Sequence, residues 1–180
     1  MPFQNGYAVF AGLDHIIRYI KSLHFTASDI DYLRSTGQFA DDFLDYLKDF
    51  KFTGSIRSFE EGDLVFNHEP ILQVDAPMIE AQLVETALLN IINYQIMVAT
   101  KASRIKSIVG DQPVMEFGTR RAQEFDAALW GTRAAYIGGF DATSNVRAGK
   151  LFGIPISGTH AHALVQAYRN DYDAFKAYAE

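Results

Sequence analysis

The segment richest in residues that could do chemistry is 154–162, where an apolar run ends in a Gly-Thr turn and two histidines precede an amphipathic helix. Glycine lets the backbone approach a ligand closely, and a helix start offers unpaired N–H groups to an anion. A histidine placed there can titrate, bind a metal or accept a phosphoryl group. Two more polar turns precede it, at 117–121 and 138–144. Their close order along the chain predicts that the three turns form one site.

The elements around these turns follow a strand–turn–helix pattern. Strands are predicted at 114–117, 137–140 and 154–156. Helices are predicted at 122–136, in a short segment that ends at 150–153, and from 161 to 168. Alternating strands and helices with short loops indicate parallel strands, whose carboxyl ends share one edge of a sheet. All three polar turns fall at that edge, where (β/α) barrels carry their chemistry. Three units do not close a barrel, so the prediction is an incomplete barrel.

Upstream of residue 114 the pattern is different. Residues 7–50 are predicted to be helical, and 54–76 alternate short apolar runs with turn residues, which indicates a β module of about three strands. Pro77 is predicted to open a long helix that continues to about Ile108, since proline is favoured in a first helical turn. The predicted fold class is therefore α+β leading into α/β. Its segments are a helical 1–50, a β module with a linking helix at 51–113, and a partial α/β barrel domain at 114–180.

Composition narrows the classes of protein. The chain has 180 residues, 48% of them hydrophobic and 21% charged, with a formal charge of -6. Because the basic residues are scattered, no nucleic-acid partner is expected. Cysteine is absent, which excludes disulfides and thiolate metal sites and fits a cytoplasmic protein. The N-terminus lacks the pattern of a signal peptide, and no unbroken apolar segment of about 20 residues is evident, so no membrane association is expected.

The chain resembles nicotinate phosphoribosyltransferases over nearly its whole length. The segments that carry the resemblance are 10–13, 52–54, 69–72, 85–90, 99–104, 116–123, 136–145 and 148–162. The resemblance implies the small β module of the domain that flanks type II phosphoribosyltransferase barrels, followed by the first barrel units. It implies transfer of a phosphoribosyl group from phosphoribosyl pyrophosphate to nicotinate, coupled to ATP and Mg, in NAD salvage. A homodimer is implied for the full-length protein.

The same resemblance assigns roles to individual residues. His162 closes the family's Gly-Thr-x-Ala-His pattern and is the expected phosphohistidine, whereas His160 occupies the variable position. A phenylalanine would cover the pyridine ring, arginines would hold a carboxylate or phosphate in fork geometry, and hydroxyls would bind the nicotinate carboxylate. An aspartate would lie behind them or face a metal. These substrate-binding candidates are Phe117, Gly118, Arg120, Arg121, Asp141, Thr143, Ser144 and Thr159.

The chain also lacks parts of the family pattern. The initial Thr-Asp-Leu-Tyr-type segment is missing, as are the later arginine and the glycine-rich turns that bind the phosphoribosyl group. The chain is therefore expected to be truncated at both ends and inactive alone, and a non-catalytic remnant is the main alternative. A metal-dependent hydrolase using His160 and His162 as zinc ligands is less favoured, because no histidine follows them. Quinolinate phosphoribosyltransferase shares the architecture, but the Gly-Thr-x-Ala-His turn argues against it.

Overall fold

The computed structural model describes residues 6–180; residues 1–5 of the expected N-terminal segment lie outside the described residues. The first part of the chain is mainly helical, as predicted, but a two-residue strand precedes the helices. This strand is short and buried, and three helices follow it, of which the second and third pack around a core of Ile30, Leu44, Leu47 and Phe50. The elements are β1 (Ala8–Val9), α1 (Leu13–Ser22), α2 (Ala27–Ser35) and α3 (Asp41–Lys48).

The start of α2 is defined by its cap. The sequence predicts a helical segment here without an exact start, and the residue that caps the helix is Thr26. Thr26 Oγ1 accepts a hydrogen bond from Asp29 N at 3.3 Å, and Thr26 N donates to Asp29 Oδ2 at 2.7 Å. This reciprocal capping box satisfies two backbone groups that a helix end leaves open.

The β module has the three predicted strands, but they do not form one sheet. The strands are β2 (Ser55–Ser58), β3 (Leu64–Val65) and β4 (Leu72–Asp75). Strand β2 pairs with β4 in antiparallel register, whereas β3 pairs with β1 through Ala8–Val65 and Val9–Leu64. Sequence reasoning missed this because β1 is only two residues long and lies far from β3 in the chain.

The long helix is confirmed as α4 (Met78–Val109), with Pro77 as its N-cap. Its apolar residues form the main core with Ile16 of α1. By length and composition α4 could also cross a membrane, which the sequence analysis did not anticipate. In this fold it packs against α1, β1 and α5 (Phe125–Ile137). We therefore interpret α4 as the central helix of the fold.

Small residues allow α4 and α5 to pack closely. A side chain at Gly138 would meet the carbonyl oxygen of Ala99 and the Cβ of Ala102. Gly139 then has φ +99, a left-handed value that glycine adopts readily. This turn moves the second parallel strand to β6 (Ala142–Thr143), so the strand predicted at 137–140 was wrong.

The last third of the chain contains a small parallel arrangement, as predicted. Strand β5 (Met115–Glu116) pairs with β6 in parallel register. The third predicted strand is reduced to a single parallel bridge between Thr143 and Ile156. A 3-10 turn at Thr119–Arg121 delays the start of α5 from the expected 122. The remaining helices are α6 (Val146–Phe152), α7 (His162–Gln166) and α8 (Asp171–Ala179). The fold class is thus confirmed, while the division into 1–50, 51–113 and 114–180 stays a prediction.

Candidate active site

An open cavity of about 790 Å³ lies at the carboxyl ends of β5 and β6. Residues from all three polar turns line it, because parallel strands bring their carboxyl ends to the same edge. One arginine supplies the charge of the lining, one phenylalanine supplies an aromatic face, and several hydroxyls complete it. The lining residues are Phe117, Thr119, Arg120, Ser144, Asn145, Val146, Ile156, Ser157, Gly158 and Thr159.

Four of the predicted binding residues meet in this cavity. Phe117 and Arg120 come from the turn after β5, Ser144 follows β6, and Thr159 lies in the Gly-Thr turn after the Ile156 bridge. Phe117 is 43% exposed and lines the cavity, so part of this residue is accessible to a ligand. None of the lining residues within 6–180 is a carboxylate. The cavity can therefore accept an anionic aromatic molecule on a cation, an aromatic ring and hydroxyl donors.

The two adjacent arginines separate. Arg120 lines the cavity, whereas Arg121 lines a smaller cavity of about 350 Å³ on the other side of the 3-10 turn, together with Gly118. In a 3-10 helix successive side chains point about a third of a turn apart. Arg121 and Gly118 therefore lie outside the main cavity, and the expectation that they bind substrate stays a prediction.

Thr143 does not offer its hydroxyl to the cavity. The residue is fully buried, and its Oγ1 donates to Glu116 Oε2 at 2.8 Å. The strand alternates its side chains between two faces, so the residue next to Ser144 points into the protein. Of the two residues, Ser144 lines the cavity and Thr143 does not, and their roles in binding stay predictions.

Asp141 lies at the other end of β6, away from the cavity. Its Oδ2 accepts hydrogen bonds from Val114 N at 2.7 Å and from Lys106 Nζ at 2.9 Å. The hydrogen bond from Val114 N, and after it the one from Lys106, lower the pKa of Asp141 below its usual range. Because Asp141 precedes the strand instead of following it, its carboxylate ties α4 to the start of β5. Asp141 does not line the cavity, and the expectation that it lies behind the binding residues or faces a metal stays a prediction.

The two histidines of the third turn have different surroundings. His162 is the first residue of α7 and is exposed, beside the Gly-Thr turn that lines the cavity. His160 packs against the rings of Phe175 and Tyr178 of α8, with ring centroids 5.2 and 5.6 Å away. The imidazole of His162 is therefore the one that is open to a reactant.

Sequence reasoning missed Asn145 as part of the site. Its Oδ1 accepts from Ala148 N at 3.0 Å and caps α6, while its Nδ2 donates to Thr119 Oγ1 at 3.3 Å. Asn145 therefore joins the first two turns across the cavity. An asparagine directly before a helical segment is a recognisable capping pattern, so its first role could have been predicted.

Residues 1–93, half of the chain, match the family model of the nicotinate phosphoribosyltransferase (NAPRTase) N-terminal domain. The chain belongs to the nicotinate phosphoribosyltransferase family. It is 64% identical to the nicotinate phosphoribosyltransferase of Bacillus subtilis (strain 168) over 180 residues, which is 100% of this chain and 37% of that protein. It is 42% identical to nicotinate phosphoribosyltransferase pncB2 of Mycobacterium tuberculosis (strain H37Rv) over 179 residues, covering 99% of this chain and 39% of that protein.

A solved structure supports the same family. The crystal structure of human nicotinic acid phosphoribosyltransferase matches with a TM-score of 0.85 and 36% identity, over 93% of this chain and 34% of the human chain. This chain therefore spans less than two fifths of the length of these relatives. The resemblance seen in the sequence is confirmed, and membership of this family displaces the hydrolase alternative. Within residues 6–180, moreover, no group of three or more histidine or acidic side chains could hold a metal.

Proposed function

We propose that this chain forms the nicotinate-binding part of a nicotinate phosphoribosyltransferase. The observation that carries the proposal is the cavity lining, which combines Arg120, the exposed ring of Phe117 and the hydroxyls of Ser144 and Thr159 without any carboxylate. Nicotinate is a flat aromatic ring with a carboxylate, so each of these groups has a counterpart in the substrate. The guanidinium can hold the carboxylate in fork geometry while the phenylalanine stacks on the ring.

The proposed reaction needs a second substrate that binds beside nicotinate. The pyridine nitrogen attacks the anomeric carbon of phosphoribosyl pyrophosphate, a carbon–nitrogen bond forms, and the carbon–oxygen bond to pyrophosphate breaks. Nicotinate mononucleotide and pyrophosphate leave. Binding holds the nitrogen in line with the carbon, which lowers the entropic part of the activation barrier. Charged donors stabilise the leaving pyrophosphate. This chain supplies the orientation of nicotinate.

We propose further that His162 accepts the γ-phosphoryl group of ATP, with ADP as the leaving group, and that water then releases phosphate. The exposed ring at the start of α7, beside the Gly-Thr turn, supports this role. Mg²⁺ would arrive with the phosphates of ATP, since none of the described residues that line the cavity is a carboxylate.

A homodimer and a cytoplasmic location are also proposed. Large apolar side chains are exposed along α4, among them Met78, Leu89 and Ile108, and burial of such side chains against a second subunit would be favourable. The absence of cysteine fits a reducing compartment. Light scattering of the full-length enzyme would test the dimer, and a monomer would refute it.

A chimeric enzyme tests the catalytic proposal. This chain would replace the aligned 180 residues of the Bacillus subtilis relative, to which it is 64% identical. The chimera should make nicotinate mononucleotide from nicotinate and phosphoribosyl pyrophosphate and should discriminate against nicotinamide. A soluble chimera that makes no product would refute the proposal and favour a non-catalytic remnant.

Matched variants in the chimera test the residues. Arg120→Ala should raise the nicotinate KM about tenfold or more, because a charge-assisted hydrogen bond to the carboxylate is lost. Arg121→Ala, one residue away but outside the cavity, should change it far less. His162→Ala should abolish stimulation by ATP and leave uncoupled transfer, whereas His160→Ala should keep the stimulation. Equal effects of the two arginine variants would refute the role of Arg120, and equal effects of the two histidine variants would refute the role of His162.

A further inference from the structure

The carboxylate of Glu116 lies directly behind the turn that carries Phe117 and Arg120. Its Oε1 accepts a hydrogen bond from Gly118 N. Its Oε2 accepts from Thr132 Oγ1 of α5 and from Thr143 Oγ1 of β6, both at 2.8 Å. One side chain therefore joins β6, α5 and the turn after β5. It does not line the main cavity.

The identity of Gly118 follows from this carboxylate. A Cβ at residue 118 would lie 2.8 Å from Glu116 Oε1, closer than carbon and oxygen atoms normally approach. The φ of Gly118 is -86°, a value that any residue adopts, so backbone freedom does not explain the glycine. The near contact is with the end of the Glu116 side chain, so a side chain at residue 118 would require that carboxylate to shift from its hydrogen bond with Gly118 N.

The backbone of Glu116 reinforces the arrangement. Its carbonyl oxygen accepts from Ser144 N at 3.1 Å, and its residue pair in the parallel register is Thr143. Ser144 lies in the cavity lining, one residue beyond the hydroxyl that Glu116 holds. Glu116 thus contacts both turns, the one that carries Ser144 and the one that carries Phe117 and Arg120.

We propose that Glu116 is a positioning residue for nicotinate: it sets the aromatic ring and the guanidinium on one side of the substrate against the hydroxyl on the other. The inference rests on the proposed function. Small displacements of binding groups weaken a site strongly, because a substrate must meet all of its contacts at once. A role in substrate position predicts an effect on nicotinate binding that a role in stability alone does not.

The nearest competing explanation is structural. Thr132 and Thr143 are 2% and 0% exposed, and buried hydroxyls require an acceptor. Thr132 has a second acceptor within reach, since its Oγ1 also lies 2.9 Å from Ala128 O. If Glu116 served only to satisfy these hydroxyls, its loss would reduce stability and the amount of folded enzyme while nicotinate KM stayed constant.

Steady-state kinetics of the Bacillus subtilis chimera separate the two explanations. Glu116→Ala should raise the nicotinate KM about tenfold, with the KM for phosphoribosyl pyrophosphate within about twofold of the unsubstituted chimera. Glu116→Gln should restore most of the affinity, because its amide oxygen can still accept from Gly118 N while its NH₂ faces the two hydroxyls. Thr132→Val, which keeps side-chain shape and removes one donor, should raise the nicotinate KM a few-fold and provides a test if Glu116→Ala does not fold.

Glu80 provides the matched control. It is a buried carboxylate in the first turn of α4, and it accepts from Thr53 N at 2.6 Å and from Thr53 Oγ1 at 2.9 Å. Glu80→Ala should lower the melting temperature and leave the nicotinate KM unchanged. Nicotinate KM values of Glu116→Ala and Thr132→Val within twofold of the active chimera would overturn the role of Glu116 alone. An unsubstituted chimera without activity would overturn the proposed function, and the role of Glu116 with it.

Discussion

The ion pair between Glu61 and Arg133 should be one of the largest single contributions to the stability of this chain. Glu61 lies in the turn between β2 and β3, and Arg133 lies on α5. Arg133 Nη1 and Nη2 donate to the two carboxylate oxygens at 2.8 and 2.6 Å. Glu61 Oε1 also accepts from Gly12 N at 2.7 Å and Leu13 N at 3.1 Å, which caps α1. One carboxylate therefore joins three elements.

The size of the effect follows from burial. The side chains of Glu61 and Arg133 are only 16% and 17% exposed. Removing one partner of a buried pair costs about 3–5 kcal/mol, because the other charge is left without compensation. Residual exposure and a second carboxylate, Asp14 Oδ2 at 3.9 Å from Arg133 Nε, reduce this cost. We therefore expect Glu61→Ala to lower the free energy of unfolding by about 3 kcal/mol.

The pH dependence of this contribution has a definite sign. Burial alone would raise the pKa of Glu61, but hydrogen bonds from Arg133 and from Gly12 N outweigh it and leave the pKa lowered. A depressed carboxylate pKa contributes stability that is present above the unfolded value of about 4.3 and is lost as pH falls through the folded pKa. Glu61→Gln should remove this acid-sensitive part.

Urea unfolding followed by circular dichroism would measure the effect. The double variant Glu61→Ala/Arg133→Met should be less destabilised than the sum of the single variants, since the second substitution removes the charge that the first leaves unpaired. For a chain of this length about 3 kcal/mol corresponds to a fall in melting temperature of roughly 6–12 °C. A loss below about 0.5 kcal/mol, or strict additivity in the double variant, would refute the reasoning.

Three further predictions use other contacts. Burial lowers the pKa of His15, so stability should fall as pH drops below about 6.5. The fluorescence of Trp130, the sole tryptophan, which stacks on His15, should also titrate below that pH. His15→Phe should abolish both changes, and a titration at or above about pH 6.5 would contradict them. Gly138→Ala should destabilise by about 1–3 kcal/mol in thermal melts, because its Cβ meets the backbone of Ala99; an unchanged melting temperature would contradict the close packing. Thr26→Ala should cost about 1 kcal/mol through loss of the α2 cap, and Thr26→Ser should restore most of it.

Patterns of short range were predictable from the sequence. The period of apolar residues gave the 32-residue α4, and strand–turn–helix alternation gave the parallel pair at β5 and β6. The same alternation also predicted that the three polar turns lie at one edge of the sheet. These features depend on a few neighbouring residues and on the general handedness and direction of βα units, so one sequence is enough to derive them.

Features that depend on distant contacts were not predictable. The pairing of β3 with β1 joins strands more than fifty positions apart in sequence, and neither strand has the length to show a period. His15 stacks on Trp130 at 3.9 Å between ring centroids, and its Nδ1 lies 3.1 Å from Gln95 Nε2, although both partners are far from it in the sequence. The separation of Arg120 from Arg121 depends on a 3-10 turn that the local sequence does not indicate.

Helix α5 connects the cavity to the N-terminal part of the chain through two adjacent residues. Thr132 donates to Glu116 behind the cavity, while Arg133 reaches Glu61 in the β module. Successive residues on a helix point about 100° apart, so one helix can make both contacts without a shared side chain. Because the Glu61 carboxylate also caps α1, a displacement of the β module relative to α5 would have to break a buried ion pair. The cavity therefore sits on a rigid support, and the affinity for nicotinate should depend on Glu116 and its donors far more than on the ion pair beyond them.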